Sequence, residues 1–179
     1  MRVVLDAGHG GKDPGAKTFL TTEKDMALDI ALRVREYLKK KHEVIMTRQT
    51  DEYVSLSERC RIAERAKADI FVSVHLNAHD DPRVSGIETF SFPGSKNGAA
   101  LRNAIHLEVM RLLPDWKDRG MKEANFQVLR DTKMPAALVE CGFITNDKDE
   151  QRIHDINVRD TFARGIAAGI EAYLAGAGR

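Results

Sequence analysis

Short apolar runs of strand length alternate along the chain with segments in which apolar residues recur at helical spacing. Arg2 to Asp6 has the pattern of a buried strand, and the apolar positions between Met26 and Leu38 that follow it have a helical period. Neighbouring parallel strands need crossover connections, which are usually helices. The alternation therefore predicts an α/β fold, a single domain with a largely parallel twisted sheet flanked by helices.

The same patterns recur to the end of the chain. Ser55 and Glu58 have the form of a capping box, which predicts the start of a helix with Leu56, Cys60 and Ala63 on one face. The other predicted strands are 43–47, 69–76, 86–92, 136–140 and a short one at 126–129, and the other predicted helices cover 101–112 and 158–173.

Composition limits the classes of function that fit this chain. With 179 residues, of which 42% are hydrophobic, it can bury the core of one domain. Its 28 basic and 27 acidic residues leave a formal charge of +1, which gives no reason to expect a nucleic-acid partner or membrane insertion. Cys60 and Cys141 lack metal-site spacing, so we expect two buried packing residues.

Four polar side chains lie where the predicted strands end or a helix begins. His9 follows the first strand, His75 ends the third, Glu140 ends the 136–140 strand, and Glu23 starts the first helix. In an open α/β sheet, ligands bind beyond the carboxyl ends of the strands. The topology therefore predicts that these four side chains meet at one edge of the sheet and form an active site there.

Two imidazoles and one carboxylate are a common ligand set for catalytic zinc, which lowers the pKa of water to about 7. A second carboxylate nearby can take a proton from that water and pass it to a leaving nitrogen. We therefore expect His9, Glu23 and His75 to hold one Zn²⁺ per chain, and Glu140 to act as general base and acid. The predicted reaction class is metal-assisted hydrolysis.

The glycine-rich loop around His9 has a second interpretation, as a phosphate-binding loop. Residues 8–13 lack both the third glycine of a dinucleotide fingerprint and the Ser or Thr of a P-loop. The sequence therefore argues against nucleotide binding.

Several segments also carry a family resemblance. They are LDAGHGGKDPGA at 5–16, EKD at 23–25, TR at 47–48, SVHLNA at 73–78 and VECGFITN at 139–146. In this order, and over nearly the whole chain, the sequence resembles the zinc-dependent N-acetylmuramoyl-L-alanine amidases of the amidase-3 type. Cys141 departs from the family, which often has threonine at this position.

The resemblance implies a peptidoglycan hydrolase that cleaves the amide between the lactyl group of muramic acid and the L-alanine of the stem peptide. The family's zinc ligands fall on His9, Glu23 and His75, and its catalytic glutamate falls on Glu140. Residues 1–175 would form the amidase catalytic domain and 176–179 a frayed tail. Some relatives carry an inhibitory helix between the second histidine and the catalytic glutamate; the short loop after Asn77 predicts an open site instead.

Two further residues are expected to bind substrate. Asn77 either hydrogen-bonds substrate or shapes the turn after the third strand, and Arg119 matches a family position at the cleft. The remaining histidines lack carboxylate companions or suitable spacing. Of these, we expect His42, His106 and His154 to face solvent.

Two other functions stay open at this stage. One is a zinc peptidase acting on stem or free peptides, and the other is a non-catalytic peptidoglycan-binding module. Location follows from the substrate: we expect a monomer that acts outside the cell, in the cell wall or the periplasm. Because the sequence shows no signal peptide, we expect an excised domain or a phage lysin.

Overall fold

The computed structural model describes residues 1–177. Six strands and six helices make up this part of the chain. In chain order they are β1 (Arg2–Ala7), α1 (Glu23–Leu38), β2 (Glu43–Met46), α2 (Leu56–Arg65), β3 (Ile70–Asn77), β4 (Ile87–Ser91), α3 (Lys96–Leu112), β5 (Asp118–Glu123), α4 (Gln127–Arg130), β6 (Ala136–Phe143), α5 (Asp147–His154) and α6 (Ile156–Ala177).

The six strands form one sheet in the order β2-β1-β3-β6-β4-β5. Strands β2, β1, β3 and β6 are mutually parallel, whereas β4 pairs antiparallel with β6 and parallel with β5. The prediction of a largely parallel sheet flanked by helices is confirmed. Its strands β1, β3 and β6 are adjacent, so the residues at their carboxyl ends share one edge.

The two faces of the sheet are covered to different extents. One face packs against α1, α3 and α6 in a large apolar core that includes Leu5, Val74 and Val139. The other face carries a smaller cluster around Phe71 and Leu138, covered by α2 and α4. Further along the strands of this second face, polar residues replace apolar ones. The candidate site therefore lies on the same face as the smaller apolar cluster, nearer to the carboxyl ends of the strands.

Local predictions differ from the structure in several places. Residues 126–129, predicted as a strand, fall mostly in helix α4, because the buried Val128 and Leu129 fit either structure in so short an apolar run. Strand β5 and helix α5 were not predicted, and β6 continues past Glu140 to Phe143. Ser55 accepts a hydrogen bond from the Glu58 amide, as the capping box predicts, but Leu56 is exposed.

The last helix extends past residue 175, where the catalytic domain was predicted to end. Helix α6 runs to Ala177, so the first two residues of the predicted tail are helical. Residues 178 and 179 of that tail lie outside the described residues.

Candidate active site

His9, Glu23 and His75 lie together although they are distant in the sequence. One possible ligand atom from each of the three lies within 4.8 Å of the others. Glu23 Oε1 is 3.0 Å from His9 Nε2 and 2.8 Å from His75 Nδ1. His9 is held in the left-handed region, with a φ of 59°, which is uncommon for a residue other than glycine. Strained backbone positions of this kind cluster at active sites.

Glu23 is buried at the amino end of α1 and is held on both of its oxygens. The Ala16 amide donates to Oε2 at 2.9 Å, and the Leu76 amide donates to Oε1 at 3.2 Å. Burial acts to raise the pKa of Glu23, but hydrogen bonds from His75 and His9 outweigh it and hold the pKa far below its ordinary value. Glu23 is therefore an anion at any physiological pH.

The donor chemistry of these three residues suits a zinc ion. Two imidazole nitrogens and one carboxylate oxygen are among the ligands zinc takes at 2.0–2.2 Å, and a catalytic site of this kind keeps a further position open. Asp13 Oδ2 lies 3.0 Å from His9 Nδ1, on the ring nitrogen that faces away from Glu23. Such a carboxylate fixes the orientation of a metal-ligating histidine.

Gly15 lets the loop pass directly against these side chains. A Cβ at this position would lie 2.6 Å from Glu23 Oε2 and 2.6 Å from His9 Cδ2, and the φ of Gly15 is +66°. Both the space and the backbone conformation therefore require glycine. The backbone itself acts as one wall around Glu23 and His9.

Glu140 is the cross-strand neighbour of His75, since the two are paired in register between β6 and β3. It is buried, and its Oε2 has no hydrogen-bond partner among residues 1–177. Burial, together with the negative charges of Glu23 and Glu88, raises the pKa of Glu140 well above its ordinary value. A carboxyl group whose pKa is raised in this way holds its proton more strongly than an ordinary one, as a general acid must.

Two buried arginines support the loop that carries His9. Arg48 donates to the carbonyls of Ala7 and Gly8, and Arg59 donates to the carbonyls of Ala7 and His9. Arg59 also pairs with buried Asp6 at 2.7 Å. The position of His9 thus depends on side chains from α2 and from the segment after β2, as well as on its own loop.

A second polar group adjoins Glu140 on the opposite side from His75. Glu88 of β4 is paired in register with Glu140. Asn77 Nδ2 donates to Glu88 Oε1 at 2.7 Å, Arg119 Nε donates to Oε2 at 2.8 Å, and Lys122 Nζ also donates to Oε2. Burial acts to raise the pKa of Glu88, but the two cations outweigh it and lower the pKa.

Several residues of this site were not predicted from the sequence. Asp13 could have been found as an acid four residues after a glycine-flanked histidine. Glu88 gave no such signal, because its place beside Glu140 depends on the antiparallel pairing of β4 with β6. Arg59 gave none either, since the residue type alone does not distinguish a buried arginine from a surface one. Arg48 belongs to the TR segment of the family resemblance, but that segment did not indicate that its side chain supports the His9 loop.

Two of the three histidines predicted to face solvent are buried or nearly so, and the third is exposed. His106 is buried, with Nδ1 3.1 Å from Thr89 Oγ1 and Nε2 2.9 Å from Asp118 Oδ1, so the prediction was wrong for this residue. The side chain of His42 is only 10% exposed, so the prediction was wrong there too. His154 is exposed as predicted. Cys60 and Cys141 are both buried free thiols, as predicted.

Three adjacent strand ends and the start of α1 together bring two imidazoles and two carboxylates to one edge of an open α/β sheet, which is the arrangement of a hydrolase active site. A family model described as N-acetylmuramoyl-L-alanine amidase matches residues 3–172. The chain belongs to this family of hydrolases, and the family and enzyme class expected from the sequence are confirmed.

Individual relatives agree with the family assignment. The structure of the N-acetylmuramoyl-L-alanine amidase AmiC2 of Nostoc punctiforme matches with a TM-score of 0.94 and 38% identity, over 98% of this chain and 97% of that one. The N-acetylmuramoyl-L-alanine amidase CwlM of Bacillus licheniformis is 36% identical over 95% of this chain and 67% of its own length. An endolysin of Bacillus phage SPP1 is 40% identical over 96% of this chain and 65% of its own length. The chain thus spans about two thirds of the length of these two curated relatives.

No helix within residues 1–177 combines the length and the apolar character needed to cross a membrane.

Proposed function

We propose that this chain is a zinc-dependent amidase that hydrolyses the bond between the lactyl group of N-acetylmuramic acid and the L-alanine of the peptidoglycan stem peptide. The observation that carries the proposal is the meeting of His9, Glu23 and His75 within 4.8 Å, with Glu140 paired in register beside His75. Family membership supplies the substrate.

The four residues take different parts in the reaction. His9, Glu23 and His75 would hold one zinc ion, which supplies a Lewis acid for the amide carbonyl and a lowered pKa for water. Glu140 accepts the proton of the attacking water and donates it to the departing alanine nitrogen. The raised pKa of Glu140 suits the donation of the proton, because the carboxyl group keeps the proton until the alanine nitrogen departs.

Asn77 and Arg119 bind substrate beside Glu140 in this proposal. Both side chains already donate to Glu88, so one buried carboxylate fixes both donors. Their orientation is therefore set before substrate arrives, which lowers the entropy lost on binding.

The decisive experiment digests purified peptidoglycan with the zinc-loaded protein and analyses the released fragments by mass spectrometry. Intact stem peptides that begin at a free L-alanine, formed with zinc and not with a chelator, are expected. Glu140→Gln should retain zinc by elemental analysis and lose about 10²- to 10⁴-fold in hydrolysis, the range for a general acid–base group. Glu64→Gln, on the exposed surface of α2, is the matched control and should keep the rate.

Other outcomes would replace the proposal. Cleavage within the stem peptide would indicate a zinc peptidase. Wall binding without turnover at any zinc concentration would indicate a binding module. A Glu140→Gln variant with a near-normal rate would remove Glu140 from the mechanism.

Peptidoglycan as substrate places the site of action outside the cytoplasm, in the cell wall or periplasm. A role as a phage lysin is compatible with this, since one relative is named an endolysin. We expect the chain to act as a monomer, and light scattering during size-exclusion chromatography would test this.

A further inference from the structure

A row of functional side chains crosses the sheet on one face. His75 on β3 pairs in register with Glu140 on β6, and Glu140 pairs in register with Glu88 on β4. Directly opposed residues on neighbouring strands place their side chains on the same face. Strand β5 lies next to β4, so the row can continue from Glu88 to the cations of β5.

A bulge in β5 is what brings both of these cations to Glu88. Arg119 and Lys122 are three residues apart, and in a regular strand such residues point to opposite faces. Between Ile87 and Thr89 of β4, however, β5 advances from Asp118 to Met121, so it carries one extra residue. Gly120 accommodates the bulge with a φ of +82°. Arg119 and Lys122 then both reach the same oxygen of Glu88.

The resulting cluster keeps an excess of positive charge. One carboxylate, Glu88, faces two cations. The Arg119 guanidinium lies over the Phe143 ring at 4.8 Å, and its single hydrogen bond within residues 1–177 uses Nε. Its two terminal nitrogens, in a side chain that is 23% exposed, remain free to donate. A guanidinium in this state suits a planar, bidentate acceptor such as a carboxylate.

The direction of the substrate follows from the role of Glu140, so this step rests on the proposed function. Glu140 donates its proton to the alanine nitrogen, which places the peptide on the Glu140 side of His75. Neighbouring strands are about 4.8 Å apart, and an extended peptide covers about 3.3–3.6 Å per residue. The cluster at Glu88 therefore lies one to two residues along the peptide from the scissile amide.

We propose that Arg119 and Lys122 bind the free α-carboxylate of an acidic second residue in the stem peptide, with Glu88 holding both cations in place. The chain would then prefer stem peptides whose second residue is a free acid over those in which that carboxylate is amidated. The metal-ligating residues would take no part in this choice.

The test uses two muropeptides, N-acetylmuramoyl-L-alanyl-γ-D-glutamyl-L-lysine and the same compound with the glutamyl α-carboxylate amidated. For the unaltered protein we expect kcat/KM to favour the free acid by about 10- to 100-fold, mostly through KM, as for a hydrogen-bonded charge. Arg119→Gln should bring the ratio to within about threefold of one, and Lys122→Met should lower it. Arg111→Gln, an exposed cation on α3, is the control and should leave it unchanged.

A merely structural defect would lower kcat/KM for both substrates by the same factor and leave their ratio unchanged, whereas the proposal requires Arg119→Gln to lower kcat/KM much more for the free acid than for the amide. Calorimetry with the product peptide L-alanyl-γ-D-glutamyl-L-lysine and with its amide measures the two binding affinities, and so tests the same preference without turnover. If fragments from peptidoglycan show no amidase products, the proposed function fails, and calorimetry alone decides the carboxylate site. Amidase products with equal kcat/KM for both muropeptides would overturn only the carboxylate site.

Discussion

The contacts of Arg59 under the His9 loop lead to a quantitative prediction for Arg59→Met. Methionine keeps much of the side-chain length but removes the charge and the hydrogen bonds to Asp6 Oδ1 and to the carbonyls of Val54, Ala7 and His9. Arg59 and Asp6 are both almost fully buried, with side chains 2% and 1% exposed. The substitution therefore leaves a buried carboxylate without its charge partner.

Breaking a buried ion pair by removing one partner costs about 3–5 kcal/mol. Adding up the four hydrogen bonds separately would count the same desolvation more than once, so we take the pair value. It is a large share of the roughly 5–15 kcal/mol by which domains are stable. At about 2–4 °C for each kcal/mol in a chain of this size, the melting temperature should fall by about 6–20 °C.

The assay is urea denaturation of the metal-free protein, followed by circular dichroism and by fluorescence. Arg61→Met is the matched control on the same helix, because Arg61 is 63% exposed and its pair with Glu58 should contribute only about 0–1 kcal/mol. Adding Asp6→Asn to Arg59→Met should restore part of the loss, since it removes the stranded charge. A loss below about 1 kcal/mol for Arg59→Met would refute the reasoning.

Two further predictions concern the same loop and its support. Gly15→Ala should lower zinc affinity by about 10- to 100-fold, the range for disturbed support of metal ligands, because its Cβ would meet Glu23 and His9. Gly94→Ala has a similar φ of +75°, but a Cβ there would meet no described atom within 4 Å, so this variant should leave zinc affinity unchanged. Equal losses in the two variants would show that backbone strain alone is responsible. For Asp6, burial acts to raise the pKa, but Arg59 and the hydroxyls of Ser73 and Thr47 outweigh it, so the folded-state pKa is lowered. Its contribution to stability is therefore complete above an unfolded-state pKa of about 3.9 and is lost as the pH falls towards the folded pKa, at up to about 1.4 kcal/mol per pH unit. Denaturation of metal-free protein between pH 3 and 6 should show a weaker acid dependence for Asp6→Asn, and an unchanged dependence would contradict this account.

Much of the architecture was predictable because the spacing of apolar residues along the sequence indicates which faces of a strand or helix are buried. Strands β1, β3 and β6 are buried on both faces and read as apolar runs, and the long helices show a clear apolar stripe. The meeting of His9, His75 and Glu140 followed from one topological rule about parallel strands. Their chemical roles remain predictions, which the experiments on zinc content and hydrolysis address.

The parts that escaped prediction depend on pairings between distant segments. Strand β5 has the polar sequence of an edge strand with a bulge, so it shows no alternation to detect. The place of Glu88 beside Glu140 needs the one antiparallel pairing in the sheet. His106 was assigned to solvent, but its partners Thr89 and Asp118 lie on two strands whose adjacency the sequence does not reveal.

The oxygen of Glu140 that is buried without a hydrogen-bond partner among residues 1–177 has a consequence for how stability and activity are related in this chain. A carboxylate placed on a central strand beside two other carboxylates opposes folding, and the rest of the core must offset that cost. Selection for heat resistance alone would favour an apolar residue at this position and would produce a robust but inert protein. A screen for stabilised variants should therefore also measure hydrolysis at every round, because the most stable variants are expected to lack the Glu140 carboxyl group.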